Sequence, residues 1–424
     1  MKFLCLLLFL LIPFFSNAIL RVDINRGNAA KIPIFLAKCG NSNDNLNEIF
    51  NIIQYDLNTS DIFNVKEIKN VQCDDDASLI SAKSIESGSI ILTIAIQTQS
   101  SDKNNLEVKY RLIDSSMKKQ LIGKSLESNI ANYRKIAHTI SDGIYTRITG
   151  DKGYFNTSIA HIAEFNGIKK LAIIDHDGAN LHFITDGKFL TLTPRFSPDG
   201  KQIVYMSYIK TQGKVYVKNL EKNTDELIGD FSGVVSAPRF SPDGKSVIVA
   251  RSIDNVTDIY KVSLLNKSNN KLTVKSAINT SPSYSPDQKK IVFNSDRGGL
   301  PQLYVMNTDG SDQKRISFGE GSYRTPVWSP RGDLIAFTKI SKKSFYIGVI
   351  KPDGTDERII TTGHLVEGPS WAPNGRLLIF TKEEPSVNGK RSVSKIYSID
   401  ITGKNERMLP TQYNASDPSW SDII

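Results

Sequence analysis

PRFSPDG, residues Pro194–Gly200, decides the fold because it recurs. It stands again as PRFSPDG at Pro238–Gly244, PSYSPDQ at Pro282–Gln288, PVWSPRG at Pro326–Gly332 and PSWAPNG at Pro369–Gly375. The prolines after the aromatic, Pro198, Pro242, Pro286, Pro330 and Pro373, are spaced by 44, 44, 44 and 43 residues. A shortened copy, PSWSDII, stands at Pro418–Ile424. A period of about 44 residues is the mark of a repeat architecture.

Turn chemistry explains the most regular letters. In Ser-Pro-Asp-Gly the proline presets φ for the second position of a turn, and the serine suits the first. Glycine then takes the left-handed conformation that closes a hairpin with a bulge. Among the departures, Gln288 stands for the glycine and Arg331 for the aspartate. Gln288 should therefore bear strain or sit in a looser turn. Apolar second strands such as Ile203–Met206 imply sheets covered on both faces, as in a radial stack of blades.

Counting strands by type closes the ring. Second strands begin near Ile159, Ile203, Val247, Ile291, Leu334 and Leu377. Third strands centre on Ala172, Val215, Ile259, Leu303, Ile347 and Ile396, and fourth strands on Phe183, Leu227, Leu272, Arg315, Arg358 and Arg407. First strands are marked by Phe196, Phe240, Tyr284, Trp328 and Trp371, so the set is one short until PSWS adds Trp420. The expectation is a six-bladed β-propeller over 155–424, closed by the C-terminal strand.

Residues 19–150 follow a different pattern. Strand-like runs at 32–37, 62–68, 89–98 and 106–113 alternate with two helical stripes. The first helix carries Leu46, Ile49, Phe50, Ile53 and Leu57, with Asn45 and Glu48 as a capping box. The second runs from about Asn129 to Thr149, with Gly150 as its stop. A small N-terminal α/β domain is the expectation.

Hydrophobic residues make up 39% of the chain and charged ones 23%, which describes a globular protein. Residues 1–18 have the layout of a cleaved secretory signal: Lys2, the apolar run Phe3–Phe15, then Ser16-Asn17-Ala18. The run is too short to span a bilayer, so an exported protein that does not cross the membrane is expected. Cys39 and Cys73 then have two outcomes open in an oxidising compartment, a disulfide or two free buried thiols, and spacing does not choose between them. The net charge of +9 is scattered, which argues against nucleic-acid binding.

Chemistry is sparse. There is no G-x-S-x-G, H-E-x-x-H or C-x-x-C, and the five histidines show no metal-ligand spacing. Asp175-His176-Asp177-Gly178 reads as a plain β-turn rather than a calcium loop. No catalytic residue, metal or cofactor is expected. A secreted propeller hydrolase, a peptidase or glycosidase, is the alternative, and it would need an acid–base pair or nucleophile in the channel. The variable loops FSGVVSAP, KSAINTSP, GEGSYRTP and TGHLVEGP gather at one channel mouth, which suits recognition on a rigid scaffold.

The signal, RVDINRG, IIQYDLNTSDIFNV, HTISDGIYTRITGDKGYF and the repeats with their short final copy together resemble the TolB family, periplasmic components of the Tol-Pal system. The resemblance covers nearly the whole chain. It implies a monomeric, non-enzymatic adaptor that serves outer-membrane integrity and envelope constriction at cell division. Its implied partners are the peptidoglycan-associated lipoprotein Pal, the inner-membrane protein TolA and other outer-membrane proteins. For TolA the implied contact is the tail 19–27, with Leu20, Arg21, Val22, Asp23 and Ile24; an edge strand of the small domain is the other reading of that segment. For the lipoprotein, Ala237 and Thr280 match family positions, while Val234 departs from the polar or histidine residue the family leads one to expect. Thr193, Tyr323, Thr325, His364 and Glu367 complete that implied surface.

Overall fold

The computed structural model describes residues 30–40, 44–69, 73, 79–80, 89–98, 104–209, 212–229, 233–274, 277–385 and 392–423. The expected signal and the tail residues Leu20, Arg21, Val22, Asp23 and Ile24 lie outside the described residues.

Five strands form the first sheet: β1 (Ile32–Cys39), β2 (Phe63–Ile68), β3 (Ile90–Thr98), β4 (Asn105–Asp114) and β5 (Lys119–Asn129), in the order β2-β1-β3-β4-β5. β1 pairs in parallel with β2 and β3, and the remaining pairs are antiparallel. β5 is an addition to the expected strands. None of its side chains is fully buried, so it lacks the apolar alternation that marks a strand in a sequence.

The helices Asp44–Thr59 and Tyr133–Thr149 cover one face, where Ile49, Ile53, Ile140 and Ile144 meet Ile34, Leu36 and Leu92. Asn45 sits inside the first helix, so the expected capping box does not form its start. The second helix starts later than expected: Ile130–Asn132 is a 3-10 turn, capped by the Asn129 side chain accepting from the Ala131 N–H at 2.9 Å. Gly150 ends that helix at φ 75°. On the opposite face of the sheet a disulfide joins Cys39 to Cys73, with Cα atoms 5.7 Å apart, beside Phe35, Ile68 and Ile91.

The rest is a six-bladed β-propeller of four-stranded sheets. The blades are numbered here by their second strands, in chain order. Blade 1 takes its inner strand, Asn414–Trp420, from the far end of the chain and pairs it with Ser158–Phe165. Blade 2 opens with Leu190–Phe196, and blades 3 to 6 with Val234–Phe240, Asn279–Tyr284, Ser322–Trp328 and Leu365–Trp371. Adjacent blades are stitched at one level. Serine hydroxyls of Ser419, Ser283 and Ser370 accept from the backbone N–H of Phe196, Trp328 and Trp420 on the next blade.

The Ser-Pro-Asp-Gly turns are structural. Asp199, Asp243 and Asp287 each accept from the serine hydroxyl two residues back and from the backbone N–H two residues on. Two turns depart from that chemistry, and both touch the N-terminal domain. In blade 5, Asp333 takes over the serine contact, while Arg331 donates to Asp151 at 3.0 Å. In blade 6, Arg376 donates to the same Asp151 at 3.0 Å, and the Asn374 amide reaches the buried Tyr145 hydroxyl. The small domain therefore docks on the turn end of the ring, over blades 5, 6 and 1, and one apolar cluster runs through both domains.

Candidate functional site at the channel mouth

The other end of the channel is open, and its geometry is set by a feature repeated in every blade. Each inner strand breaks register with the second strand of its blade at the same place. There the residue before a proline has positive φ: Thr193 49°, Ala237 49°, Ser281 53°, Thr325 45°, Gly368 64° and Asp417 54°. The right-handed helical region is disfavoured for a residue before proline, and the left-handed one is costly for any side chain with a Cβ. For the β-branched Thr193 and Thr325 it is a true outlier. Such conformations persist only where neighbours over-determine them.

Those neighbours are visible. The Thr338 hydroxyl lies 2.7 Å from that of Thr325 and accepts from the Gly368 N–H at 3.3 Å. The Thr381 hydroxyl accepts from the Asp417 N–H at 3.1 Å. The six bulges thus form a rigid ring that re-aims side chains around the mouth.

The loops leading into these strands carry an apolar collar. Phe189, Val274, Ile278 and Phe318 stand on fourth-to-first-strand connections, Leu190 and Val234 open the inner strands that follow, and Val274 and Phe318 are 80% and 71% exposed. Inside the collar the charge is mixed. Burial, with Asp417 and then Glu383 alongside, holds the Glu367 carboxyl above its usual range, although it keeps an open path to solvent. Burial likewise raises the Asp417 carboxyl, and Arg195 opposes that rise.

The expected contact residues are distributed over this mouth. Thr193, Ala237 and Thr325 are themselves bulge residues, and Thr280 precedes the bulge residue Ser281. Val234 and His364 are exposed on the collar, and Glu367 is exposed one residue before the bulge at Gly368. Tyr323 is different. It is fully buried, with its hydroxyl 2.7 Å from both Glu357 and Lys339, so it supports the surface from below rather than touching a partner. No sequence signal marks the apolar collar, because exposure, not residue type, defines it. The aligned Thr-Pro, Ala-Pro, Ser-Pro, Thr-Pro, Gly-Pro and Asp-Pro pairs were the available signal for the bulges.

A second polar cluster lies at the domain junction. Asp56, on the first helix, has one carboxylate oxygen 2.8 Å from His138 Nδ1 and the other 2.9 Å from His176 Nε2. Burial alone would raise the Asp56 carboxyl, but His176 and His138 hold it down at about 2. Burial lowers the His138 pKa, and the Asp56 contact outweighs it, so the net shift is upward. The turn Asp175–Gly178 is a β-turn, with the Gly178 N–H on the Asp175 carbonyl, and its two carboxylates also grip Arg134 of the second helix. The three side chains Asp56, His138 and His176 have ligand atoms close enough to hold a metal, a proximity that sequence spacing hides. Both Asp56 oxygens are already occupied by the rings, so the cluster serves to join the domains.

Comparisons with known proteins agree over the full length. Family models match as the TolB amino-terminal domain over residues 20–121 and the TolB beta propeller domain over residues 145–424. The Tol-Pal system protein TolB of Paramagnetospirillum magneticum is 54% identical over 428 residues, which cover 96% of this chain and 94% of that protein. That of Pelagibacter ubique is 50% identical over 446 residues, covering 99% and 98%. The crystal structure of TolB from Acinetobacter baumannii superposes with a TM-score of 0.82 at 27% identity, covering 93% of this chain and 97% of that one.

Proposed function

This chain belongs to the TolB family, and from that premise we propose that it is a periplasmic, non-enzymatic adaptor of a Tol-Pal envelope system. The propeller mouth receives the peptidoglycan-associated lipoprotein, and the tail around Leu20–Ile24 addresses TolA. Through these two contacts the protein serves outer-membrane integrity and constriction at division.

The observation that supports this reading is the collar of exposed apolar side chains around a strained, rigid ring, on the face turned away from the N-terminal domain. An apolar patch on a pre-organised, concave scaffold is what a protein partner needs, since little ordering entropy is lost on docking. Ala237 and Thr280 sit at its inner edge.

Ala237→Glu and Thr280→Arg each place a charge there. Ala237 already carries a Cβ at φ 49°, so glutamate adds bulk without a new backbone penalty. Both variants should keep the native melting temperature and lose about tenfold or more in affinity for the purified lipoprotein by calorimetry. Normal binding by the two folded variants would remove the mouth from this role.

A further inference from the structure

Below the bulges, near the turn end, the channel holds a cavity of about 310 Å³. One residue per blade faces it from the same register, the one before the inner-strand aromatic: Arg195, Arg239, Ser283, Val327, Ser370 and Ser419. Five of the six can donate a hydrogen bond. Ser283, Ser370 and Ser419 each use a lone pair to accept from the next blade's backbone N–H, which leaves the O–H free to point inward.

The two arginines are neighbours, on blades 2 and 3. Arg195 donates to its own Pro194 carbonyl at 2.6 Å, and its nearest counter-charge is Asp417, which makes no ion pair with it. Arg239 has neither a hydrogen bond nor an ion pair among the described residues. Burial and then the like charge of Arg195 disfavour its charged form. Guanidinium nonetheless stays protonated in proteins, so the charge must be met rather than shed. Asp422 lines the cavity edge, but its carboxylate is engaged by Lys152. Two part-buried like charges beside three serine hydroxyls with a proton still to donate form an unbalanced arrangement.

We propose that this ring is an oxyanion site, in which a phosphate- or carboxylate-type group is held by the Arg195 and Arg239 guanidiniums and the Ser283, Ser370 and Ser419 hydroxyls. Arginine's planar fork suits such groups bidentately, and the hydroxyls supply the remaining donors. The site does not depend on the lipoprotein reading, because it lies deeper in the channel than the mouth residues.

The test is the melting temperature of the mature chain in inorganic phosphate, in acetate and in chloride at equal ionic strength. Phosphate or acetate should raise it by a few degrees over chloride, saturating by about 50 mM, as binding to the native state alone requires. Phosphate alone responding marks a free ion; acetate alone responding marks a carboxylate, the group an acidic side chain of a partner would bring. Arg239→Gln should abolish the rise, and where that variant does not fold, Arg195→Gln carries the same comparison. No gain over chloride in the native chain, or an equal gain in the folded variants, overturns the site. Lipoprotein affinity, measured separately on Arg239→Gln, distinguishes failure here from failure of the mouth.

Discussion

At the scale of single residues, the repeat exposes strain that one sequence alone would hide. The four Ser-Pro turns and the Ala372-Pro373 turn place Gly200, Gly244, Gln288, Gly332 and Gly375 at φ of 70°, 68°, 60°, 78° and 64°. Gln288 therefore adopts the glycine conformation with a side chain attached, and the turn has not loosened to avoid it. A left-handed residue with a Cβ costs roughly 1–2 kcal/mol, partly offset because glycine loses more chain entropy on folding. Gln288→Gly should then stabilise the propeller by about 0.5–1 kcal/mol. The reverse change, Gly244→Ala, has open space around a new Cβ, so its cost of about 1 kcal/mol would be backbone alone. Opposite shifts in the denaturation midpoint are the expected readout, and two shifts of the same sign would contradict it.

At the scale of elements, the departures at the turn aspartate are where the two domains meet. Arg331 and Asn374 replace the turn aspartate in blades 5 and 6 and reach Asp151 and Tyr145 instead. In blade 1 the third-to-fourth-strand turn supplies His176 to Asp56. The strands were legible because turn chemistry and apolar runs repeat at fixed spacing. The junction was not, since His138 and His176 lie 82 and 120 residues from Asp56 and meet it only through packing. β5 carries no sequence signal for the related reason that a solvated edge strand buries no alternating face.

The Asp56 cluster also makes the junction sensitive to pH. His138 faces Asp56, Asp177 and Arg134, and Asp56 faces both histidines. The Asp56 carboxyl is depressed in the fold, so its contribution of roughly 2 kcal/mol is present above its unfolded value and lost as pH falls toward 2. The His138 pKa is raised, so its contribution is full below about 6.5 and lost as pH rises through the folded value. The junction should be firmest between about pH 4 and 6.5. Asp56→Asn should lower the melting temperature most inside that window and flatten the profile across it. A uniform drop at every pH would show that the pair is packing rather than charge.

At the scale of the whole molecule, ring closure rests on the strand Asn414–Trp420 and on Ser421. Ser419 and Trp420 pair with Ala160 and Ile159, the Trp420 indole N–H donates to Thr157 at 2.8 Å, and Ser421 exchanges hydrogen bonds with Ser158. Trp420 is largely buried, and its ring meets Tyr154 edge-on at 5.9 Å, so the latch also ties the propeller to the segment that follows the second helix. Trp420→Ala removes that packing and should cost about 3–5 kcal/mol. Deleting Pro418–Ile424 does more, because it strips the partner from the start of the apolar strand Ser158–Phe165 and exposes the edge of a strand that is buried along most of its length. The truncated chain should melt well below the native one and elute as higher oligomers from a sizing column. A monomer with an unchanged melting temperature would mean that the interfaces between blades 6, 1 and 2 hold the ring without its inner strand.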